Sequence, residues 1–254
     1  MSVRPLIFVS NDDGYSAKGV QLLAEALEPL GEVWVVAPER ERSASSHAIT
    51  LHKPLRIKRI ADRRFWCSGS PTDCTYVALN SIVPRKPDLM VSGINHGPNL
   101  GDDVTYSGTV GAAMEGTLLG VPSIATSLTG IEGRPDFTGA LALVTSLARD
   151  VLEHGLPEHI LLNVNVPCGY DATKGMRATK LGRRHYGREV EEREDPRGKR
   201  YVWIGGTEAV FIDSPGSDVN ANQDGIASVS PILVDATASS FVPQLASWGS
   251  VSNV

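Results

Sequence analysis

Two adjacent carboxylates, Asp12 and Asp13, follow directly after an apolar run near the start of the chain. Neighbouring acids repel each other more strongly as the local dielectric falls, so a cation placed between them would relieve an electrostatic cost. Oxygen ligands suit Mg²⁺ or Mn²⁺, whereas zinc sites usually show His or Cys at spacings that this sequence lacks. The pair therefore indicates a site for a hard divalent cation. The alternative is that one Asp caps the following helix and the other is solvated.

Two further polar loops follow later strand candidates. Residues 38–46 are rich in hydroxyls, and Ser43 could reach the same crevice, although a serine in such a loop is more often a turn or cap residue. Residues 92–111 are rich in Gly and Asn and precede a helix, and Asn95 there could give a metal a neutral oxygen. The side chain of Asn99 and the turn formed by Ser107, Gly108 and Thr109 could hold a phosphoryl group. The alternative is a structural loop without a ligand.

Other phosphate-binding and hydrolytic motifs are absent from the sequence. There is no GxxxxGK[ST] stretch, no GxGxxG between the first strand and its helix, and no GxSxG elbow of a serine hydrolase. His47, His52, His96 and His185 could each transfer a proton, but an isolated histidine is more often structural or exposed.

The elements that must position these residues alternate between strand and helix. Apolar runs predict strands at residues 6–9, 33–37, 88–91, 123–126 and 160–164. Helical spacing predicts helices at residues 16–31, 73–82, 107–120 and 139–154, with Ser16, Asp73 and Ser107 or Gly108 as start signals. Alternation of this kind is typical of an α/β fold with a doubly wound, mostly parallel sheet, whose ligands bind beyond the carboxyl ends of the strands.

The segment from Tyr170 to Gly205 has weaker periodicity and many charged residues. It is predicted to form an exposed hairpin or arm. A solvated charged surface is the favoured interpretation, and an arm that contacts another subunit is the alternative.

Composition and charge limit the possible partners and location. A net charge of −5 argues against a nucleic-acid polymer as partner, and an anionic ligand would need local positive charge from a metal. No apolar stretch approaches the roughly 20 residues that span a bilayer. The start of the chain lacks a secretory signal and the three cysteines form no even disulfide set, so we expect a cytoplasmic location.

Several segments together resemble the SurE family of 5′/3′-nucleotidases. The resemblance covers most of the chain and rests on the following motifs: Ser10-Asn-Asp-Asp-Gly14, Val36-Ala-Pro-Glu-Arg-Glu-Arg-Ser43, Pro71-Thr-Asp-Cys74, Val91-Ser-Gly-Ile-Asn-His-Gly-Pro-Asn-Leu-Gly-Asp-Asp103, Tyr106-Ser-Gly-Thr-Val110, Leu162-Asn-Val-Asn-Val-Pro167 and Leu181-Gly-Arg-Arg-His-Tyr186. Departures from the family pattern stand at Ala44, Ser70, Ile226 and Ser230, none of which is a proposed ligand.

The resemblance implies site residues, a cofactor and an assembly. Asp12, Asp13, Ser43 and Asn95 match the family's ligands for one divalent ion, Mn²⁺ or Mg²⁺ with Co²⁺ as a further candidate, and Asn99, Ser107, Gly108 and Thr109 fall in its phosphate-binding loop. It implies one domain over residues 1–254, with a Rossmann-like core at 1–168 and an oligomerisation arm and closing segment at 169–254. A homodimer or homotetramer is expected.

The predicted function is metal-dependent hydrolysis of nucleoside monophosphates by an activated water, with Asp12 or Asp13 as a possible proton acceptor. An aspartyl-phosphate phosphatase and a non-catalytic nucleotide sensor are the alternatives. The preferred base, the choice between 5′ and 3′ phosphates, activity on polyphosphate and the metal used in the cell stay open at this level.

Overall fold

A computed structural model of the chain describes residues 4–186, 190–204, 209–248 and 250. Its strands are β1 (Leu6–Ser10), β2 (Glu32–Pro38), β3 (Ile57–Ala61), β4 (Arg64–Cys67), β5 (Leu89–His96), β6 (Ser123–Thr129), β7 (Ile160–Pro167), β8 (Arg177–Ala178), β9 (Arg183–Tyr186), β10 (Val190–Glu194), β11 (Arg200–Ile204), β12 (Ala209–Ile212) and β13 (Ser228–Leu233). Its α-helices are α1 (Lys18–Leu27), α2 (Pro71–Val77), α3 (Gly108–Leu118), α4 (Thr138–His154), α5 (Asp218–Gln223) and α6 (Val242–Ala246).

Within the described residues, nine strands form one sheet in the order β3-β4-β2-β1-β5-β6-β7-β13-β8. The six strands from β4 to β7 in this order run parallel to one another. β3 and β13 are antiparallel to their neighbours β4 and β7, and β8 is parallel to β13. The predicted α/β class with a mostly parallel sheet is confirmed, and the carboxyl ends of β1, β2, β5, β6 and β7 meet at one edge.

Helices cover both faces of the sheet. α1 packs against α4 on one face, and α2 packs against α3 on the other. β1 is buried along its whole length because it lies between these two layers. The larger core joins Val20, Leu23 and Leu27 of α1 to the strands, and Val144 and Val151 of α4 belong to the same core.

Three predicted helix boundaries are wrong. α1 begins after Ala17, with no side-chain cap from Ser16, and ends at Leu27 rather than at Gly31. The early end follows from Pro29, which has no N–H for the helical hydrogen bond. The N-cap of α2 is Ser70 rather than Asp73, because Asp73 forms the other half of a capping box with it. A single π-helical turn, Ala78–Ile82, continues the predicted segment.

The strands at the predicted site are longer than the apolar runs indicate. β5 continues to His96, so Asn95 lies within the strand rather than in the loop after it. The pairing of β5 with β6 shifts register between Ser92 and Asn95, which accommodates this irregular end. Several parts of the fold were not predicted from the sequence, namely β3, β4, β8, β12, β13, α5 and α6.

An exposed hairpin forms a two-stranded sheet of its own. β10 pairs antiparallel with β11, and both strands are exposed throughout, which confirms the predicted hairpin for residues 190–204. The prediction is wrong for the start of the segment, where Tyr170 is buried and β8 joins the main sheet. Gly205, the predicted end of the arm, lies outside the described residues. β9 and β12 form a second two-stranded ribbon. In the portion of the chain that the structure describes, no helix has the length and apolar character needed to cross a membrane.

Candidate functional site

A cleft of about 610 Å³ opens at the carboxyl edge of the parallel strands. Five of the sequence-predicted site residues line it: Asp12, Ser43, Asn95, Asn99 and Ser107. The other lining residues are Ala44, His96, Pro98, Asp103, Tyr106 and Ile204. Asp13, Gly108 and Thr109 lie just behind this surface, in contact with or directly beside lining residues. Residues from β1, β5, the loop after β2 and the start of α3 are therefore brought together as predicted.

Asp12 is almost fully buried at the base of the cleft, with 4% of its surface exposed. Its Oδ1 accepts a hydrogen bond from the hydroxyl of Thr109, and its backbone carbonyl accepts one from the N–H of Arg42 at 2.8 Å. Burial raises the pKa of Asp12 to about 6, against the lowering effect of the Thr109 hydrogen bond, and the neighbouring charge of Asp13 raises it further. A buried carboxylate of this kind has a high affinity for either a proton or a cation.

Asp13 is half-buried and lies against the end of β5. Its Oδ2 accepts a hydrogen bond from the backbone N–H of His96 at 3.2 Å. Burial raises the pKa of Asp13, the charge and backbone N–H of His96 lower it, and the charge of Glu41 raises it. Both acids of the pair are thus held in surroundings that disfavour their charged forms.

Two neutral oxygen donors complete the set. The hydroxyl of Ser43 donates a hydrogen bond to Oε1 of Glu41 at 2.8 Å. The lone pairs of the Ser43 oxygen therefore point away from that carboxylate. The amide nitrogen of Asn95 donates to the carbonyl of Gly97 at 2.9 Å. Its amide oxygen accepts no hydrogen bond from any residue that the structure describes, so it is free to face a cation.

The chemistry of these donors fits a hard divalent ion. Among the described residues no group of three or more His, Cys, Asp or Glu side chains is arranged to hold a metal, so a thiolate or imidazole site of the zinc type is not formed there. Two desolvated carboxylates with a serine hydroxyl and an asparagine oxygen form instead an all-oxygen set, which Mg²⁺ and Mn²⁺ prefer.

The amino terminus of α3 forms the opposite wall. The Oγ of Ser107 caps the helix by accepting the N–H of Val110 at 3.1 Å. A Cβ placed on Gly108 would lie 2.5 Å from Oγ of Ser45 and 2.9 Å from Cβ of Asp12, so only glycine lets the helix approach the acid this closely. Thr109 is fully buried, and its hydroxyl donates a hydrogen bond to Asp12. Direct contact between Thr109 and phosphate stays a prediction.

Asn99 lines the cleft, and 6% of its surface is exposed. Its side-chain nitrogen donates to Oγ of Ser127, and its backbone bonds to the side chains of Asn163 and Asn165. These three partners were not predicted from the sequence to belong to the site. The signal was present in β7, where two fully buried asparagines interrupt an otherwise apolar strand.

The histidines differ in their relation to the cleft. The ring of His96 lines it and packs against Phe137, with 5.4 Å between ring centroids. His47 contacts Glu115 of α3 at 2.7 Å, and His52 is exposed away from the cleft. The side chain of His185 lies outside the part of the structure that is described.

Comparisons with known proteins agree with one another. The family model described as Survival protein SurE matches residues 7–188. The 5′-nucleotidase SurE of Myxococcus xanthus (strain DK1622) is 52% identical over 251 residues, covering 98% of this chain and 95% of the relative. That of Pelobacter propionicus is 48% identical, covering 95% of this chain and 98% of the relative. A crystal structure of the SurE protein from Aquifex aeolicus superposes with a TM-score of 0.85 at 39% identity, over 95% of this chain and 98% of that one.

Proposed function

The chain belongs to the SurE family, and we propose that it is a divalent-metal-dependent 5′-nucleotidase that hydrolyses nucleoside monophosphates to nucleosides and phosphate. The relatives named 5′-nucleotidase SurE, about half identical over nearly the whole chain, support the activity. The observation that carries the metal dependence is the desolvated acid pair Asp12 and Asp13 beside the amino terminus of α3.

We assign the cation to Asp12, Asp13, Ser43 and Asn95. When bound, the ion supplies Lewis acidity to a phosphoryl oxygen and activates the water that attacks phosphorus. The acid pair favours the ion because the cost of burying two neighbouring charges is offset once a cation lies between them. The net charge of −5 makes this local positive charge necessary for holding a phosphate dianion.

The phosphate is held by the opposite wall of the cleft. Ser107 and the first turn of α3 present a helix amino terminus, where backbone N–H groups and the helix dipole favour an anion. The amide of Asn99 faces the same space and can donate to a phosphoryl oxygen. These groups stabilise charge on the equatorial oxygens without forming a covalent bond.

The remaining chemistry needs a proton acceptor and room for the nucleoside. Asp12 or Asp13 is the proposed acceptor: Oδ1 of Asp12 accepts the Thr109 hydroxyl and Oδ2 of Asp13 accepts the His96 N–H, so each acid has a second oxygen outside these bonds. The cleft extends from the acid pair past His96 and Tyr106 to Ile204, and its volume of about 610 Å³ is enough for a nucleoside.

A cytoplasmic location and assembly as a homodimer or homotetramer are part of the same proposal. Free Cys67, Cys74 and Cys168 suit a reducing compartment. The exposed apolar side chains of the hairpin, Val202, Trp203 and Ile204 among them, suit burial against a second copy of the chain.

The proposal is tested by phosphate release from AMP, GMP and p-nitrophenyl phosphate. We expect release that depends on Mn²⁺ or Mg²⁺, stops with EDTA and returns when metal is added. Nucleotide binding without metal-dependent release would support the sensor instead. A phosphoaspartate trapped by borohydride would support the aspartyl-phosphate phosphatase, and either result contradicts the proposed mechanism.

A further inference from the structure

β7 contains two asparagines, Asn163 and Asn165, at positions where a parallel strand covered on both faces is normally apolar. Neither side chain is exposed to solvent. Burying an amide costs free energy unless it forms hydrogen bonds, so these residues need partners inside the protein. Both find the same partner, the backbone of Asn99 in the loop after β5.

Asn165 holds the Asn99 backbone with both ends of its amide. Its Oδ1 accepts the N–H of Asn99 at 2.9 Å, and its Nδ2 donates to the Asn99 carbonyl at 3.0 Å. Nδ2 of Asn163 donates to the same carbonyl at 2.8 Å. Asn99 lies in a loop, where no neighbouring strand pairs with its backbone. Its N–H and its carbonyl are nevertheless both hydrogen-bonded, by side chains of β7.

The side chain of Asn99 is held separately. Its Nδ2 donates to Oγ of Ser127 at 2.7 Å. Ser127 and Asn165 are register partners on β6 and β7, so their side chains project from the same face of the sheet. The paired residues Ser127 and Asn165 therefore hold the side chain and the backbone of Asn99, respectively.

The ends of the same loop have their own anchors. The N–H of Gly97 donates to the carbonyl of Leu128 at 3.0 Å, and the N–H of Gly101 donates to Oδ2 of Asp218 at 2.9 Å. The contacts made by Asn165 and Ser127 are therefore not needed to attach the loop to the sheet. Their specific effect is to set the position and orientation of Asn99 itself.

We propose that Asn165 and Ser127 are positioning residues for substrate phosphate, which fix Asn99 so that its amide presents the remaining N–H to a phosphoryl oxygen in the cleft. This inference rests on the proposed function, in which Asn99 binds the phosphate. Asn163 supports the Asn99 carbonyl in the same way. None of the three forms a side-chain hydrogen bond with Asp12, Asp13, Ser43 or Asn95. Ser127 is the register partner of Asn95, so Mn²⁺ affinity is measured beside phosphate affinity.

The test uses the full chain and the variants Asn165→Ala, Ser127→Ala and Ser127→Thr. Ser230→Ala is the matched control, because Ser230 is fully buried on the neighbouring strand β13 and its Oγ lies 2.7 Å from that of Thr179, with no hydrogen bond to Asn99, Ser127 or Asn165. Binding of inorganic phosphate is measured by calorimetry at saturating MnCl₂, together with kcat and KM for AMP, Mn²⁺ affinity and the unfolding temperature.

The two alanine variants are expected to bind inorganic phosphate about tenfold more weakly and to raise KM for AMP by a similar factor, since one well-placed hydrogen bond is lost. Mn²⁺ affinity is expected to stay at the wild-type value. Ser127→Thr keeps the hydroxyl and is expected to restore phosphate binding. Ser230→Ala is expected to lower the unfolding temperature without changing phosphate affinity. Ser127→Ala removes a single oxygen atom and serves if Asn165→Ala does not fold.

Wild-type phosphate affinity in folded Ser127→Ala or Asn165→Ala would overturn the inference. An equal loss of phosphate affinity in Ser230→Ala would also overturn it, because the effect would then be general destabilisation. A wild-type protein that binds phosphate but releases none from AMP contradicts the nucleotidase alone, and the inference is then judged by phosphate binding. A wild-type protein that binds no phosphate with metal present contradicts both.

Discussion

The hydroxyl of Thr109 donates a hydrogen bond to Oδ1 of Asp12, and this bond joins the amino terminus of α3 to the loop after β1. Both side chains are buried, and the backbone N–H of Thr109 also lowers the pKa of the Asp12 carboxyl. The helix that presents its amino terminus to the cleft therefore also holds one of the two acids. In the proposed enzyme, the residues that would hold the cation and those that would hold the phosphate are therefore joined directly.

Replacing Thr109 by Val is predicted to weaken metal binding. The shape of the side chain is nearly kept, but Asp12 loses a hydrogen bond that favours its charged form, so the pKa of Asp12 rises above about 6. We expect Mn²⁺ affinity at pH 6.5 to fall about tenfold, and the loss to shrink as the pH rises. Calorimetric titration with MnCl₂ over a range of pH measures this. Equal affinities for wild type and Thr109→Val at low pH would show that the bond does not tune the acid.

Replacing Asp12 by Asn is predicted to abolish turnover while the fold survives. The substitution keeps the size of the side chain and an oxygen that can accept from Thr109, but removes the charge that attracts the cation. We expect kcat/KM for AMP to fall by about three orders of magnitude, with a circular dichroism spectrum like that of the wild type. An Asp12→Asn protein that keeps most of its activity would contradict the assignment of this residue.

The same substitution is predicted to change how the stability of the metal-free protein depends on pH. Burial raises the pKa of Asp12 from 3.8 to about 6, so the folded state holds a proton that the unfolded state releases between these values. Stability from this group is fully present below pH 3.8 and is lost as the pH rises through 6. The loss is up to about 3 kcal/mol.

Urea unfolding in EDTA at pH 4, 5 and 7.5 checks this sign. The wild type should lose stability relative to Asp12→Asn as the pH rises, and added Mn²⁺ should restore it in the wild type only. If the free energy of unfolding changed with pH in the same way for both proteins, burial would not disfavour the charged form of Asp12.

Replacing Gly108 by Ala is predicted to damage the site although alanine favours helix. The added Cβ would lie 3.0 Å from Oδ2 of Asp12 as well as 2.5 Å from Oγ of Ser45, so the acid or the helix must move. We expect both Mn²⁺ affinity and kcat for AMP to fall at least about tenfold, since small displacements of reacting groups are costly. Adding Ser45→Ala removes the nearest atom and should recover part of the loss. Full activity in the single variant would show that the close approach of α3 is not needed.

The position of the acids and of Asn95 could be predicted from the sequence for a simple reason. Parallel strands that are buried on both faces read as apolar runs, and their carboxyl ends must meet at one edge. Asp12 directly follows one such run, and the Gly-rich segment with Asn95 follows another. The metal and phosphate assignments rest both on the types of these residues and on the resemblance to the family, and they stay predictions.

Other features depend on contacts that no local pattern encodes. The partners of Asn99 lie 64 and 66 residues further along the chain, in a strand whose neighbours are known only once the sheet is assembled. β13 joins the sheet antiparallel at the far side of β7, outside the alternation of strand and helix that predicted the core. The cap of α2 was misplaced because Ser70 and Asp73 are both good cap residues, and only the structure shows which one accepts from the other.

Anomalous diffraction from crystals soaked in MnCl₂ tests most directly whether the acid pair binds a cation. The prediction is a manganese peak in contact with the carboxylates of Asp12 and Asp13, with oxygens of Ser43 and Asn95 completing the protein ligands. Crystals that show no peak at these two acids, or a peak only elsewhere on the chain, would contradict it.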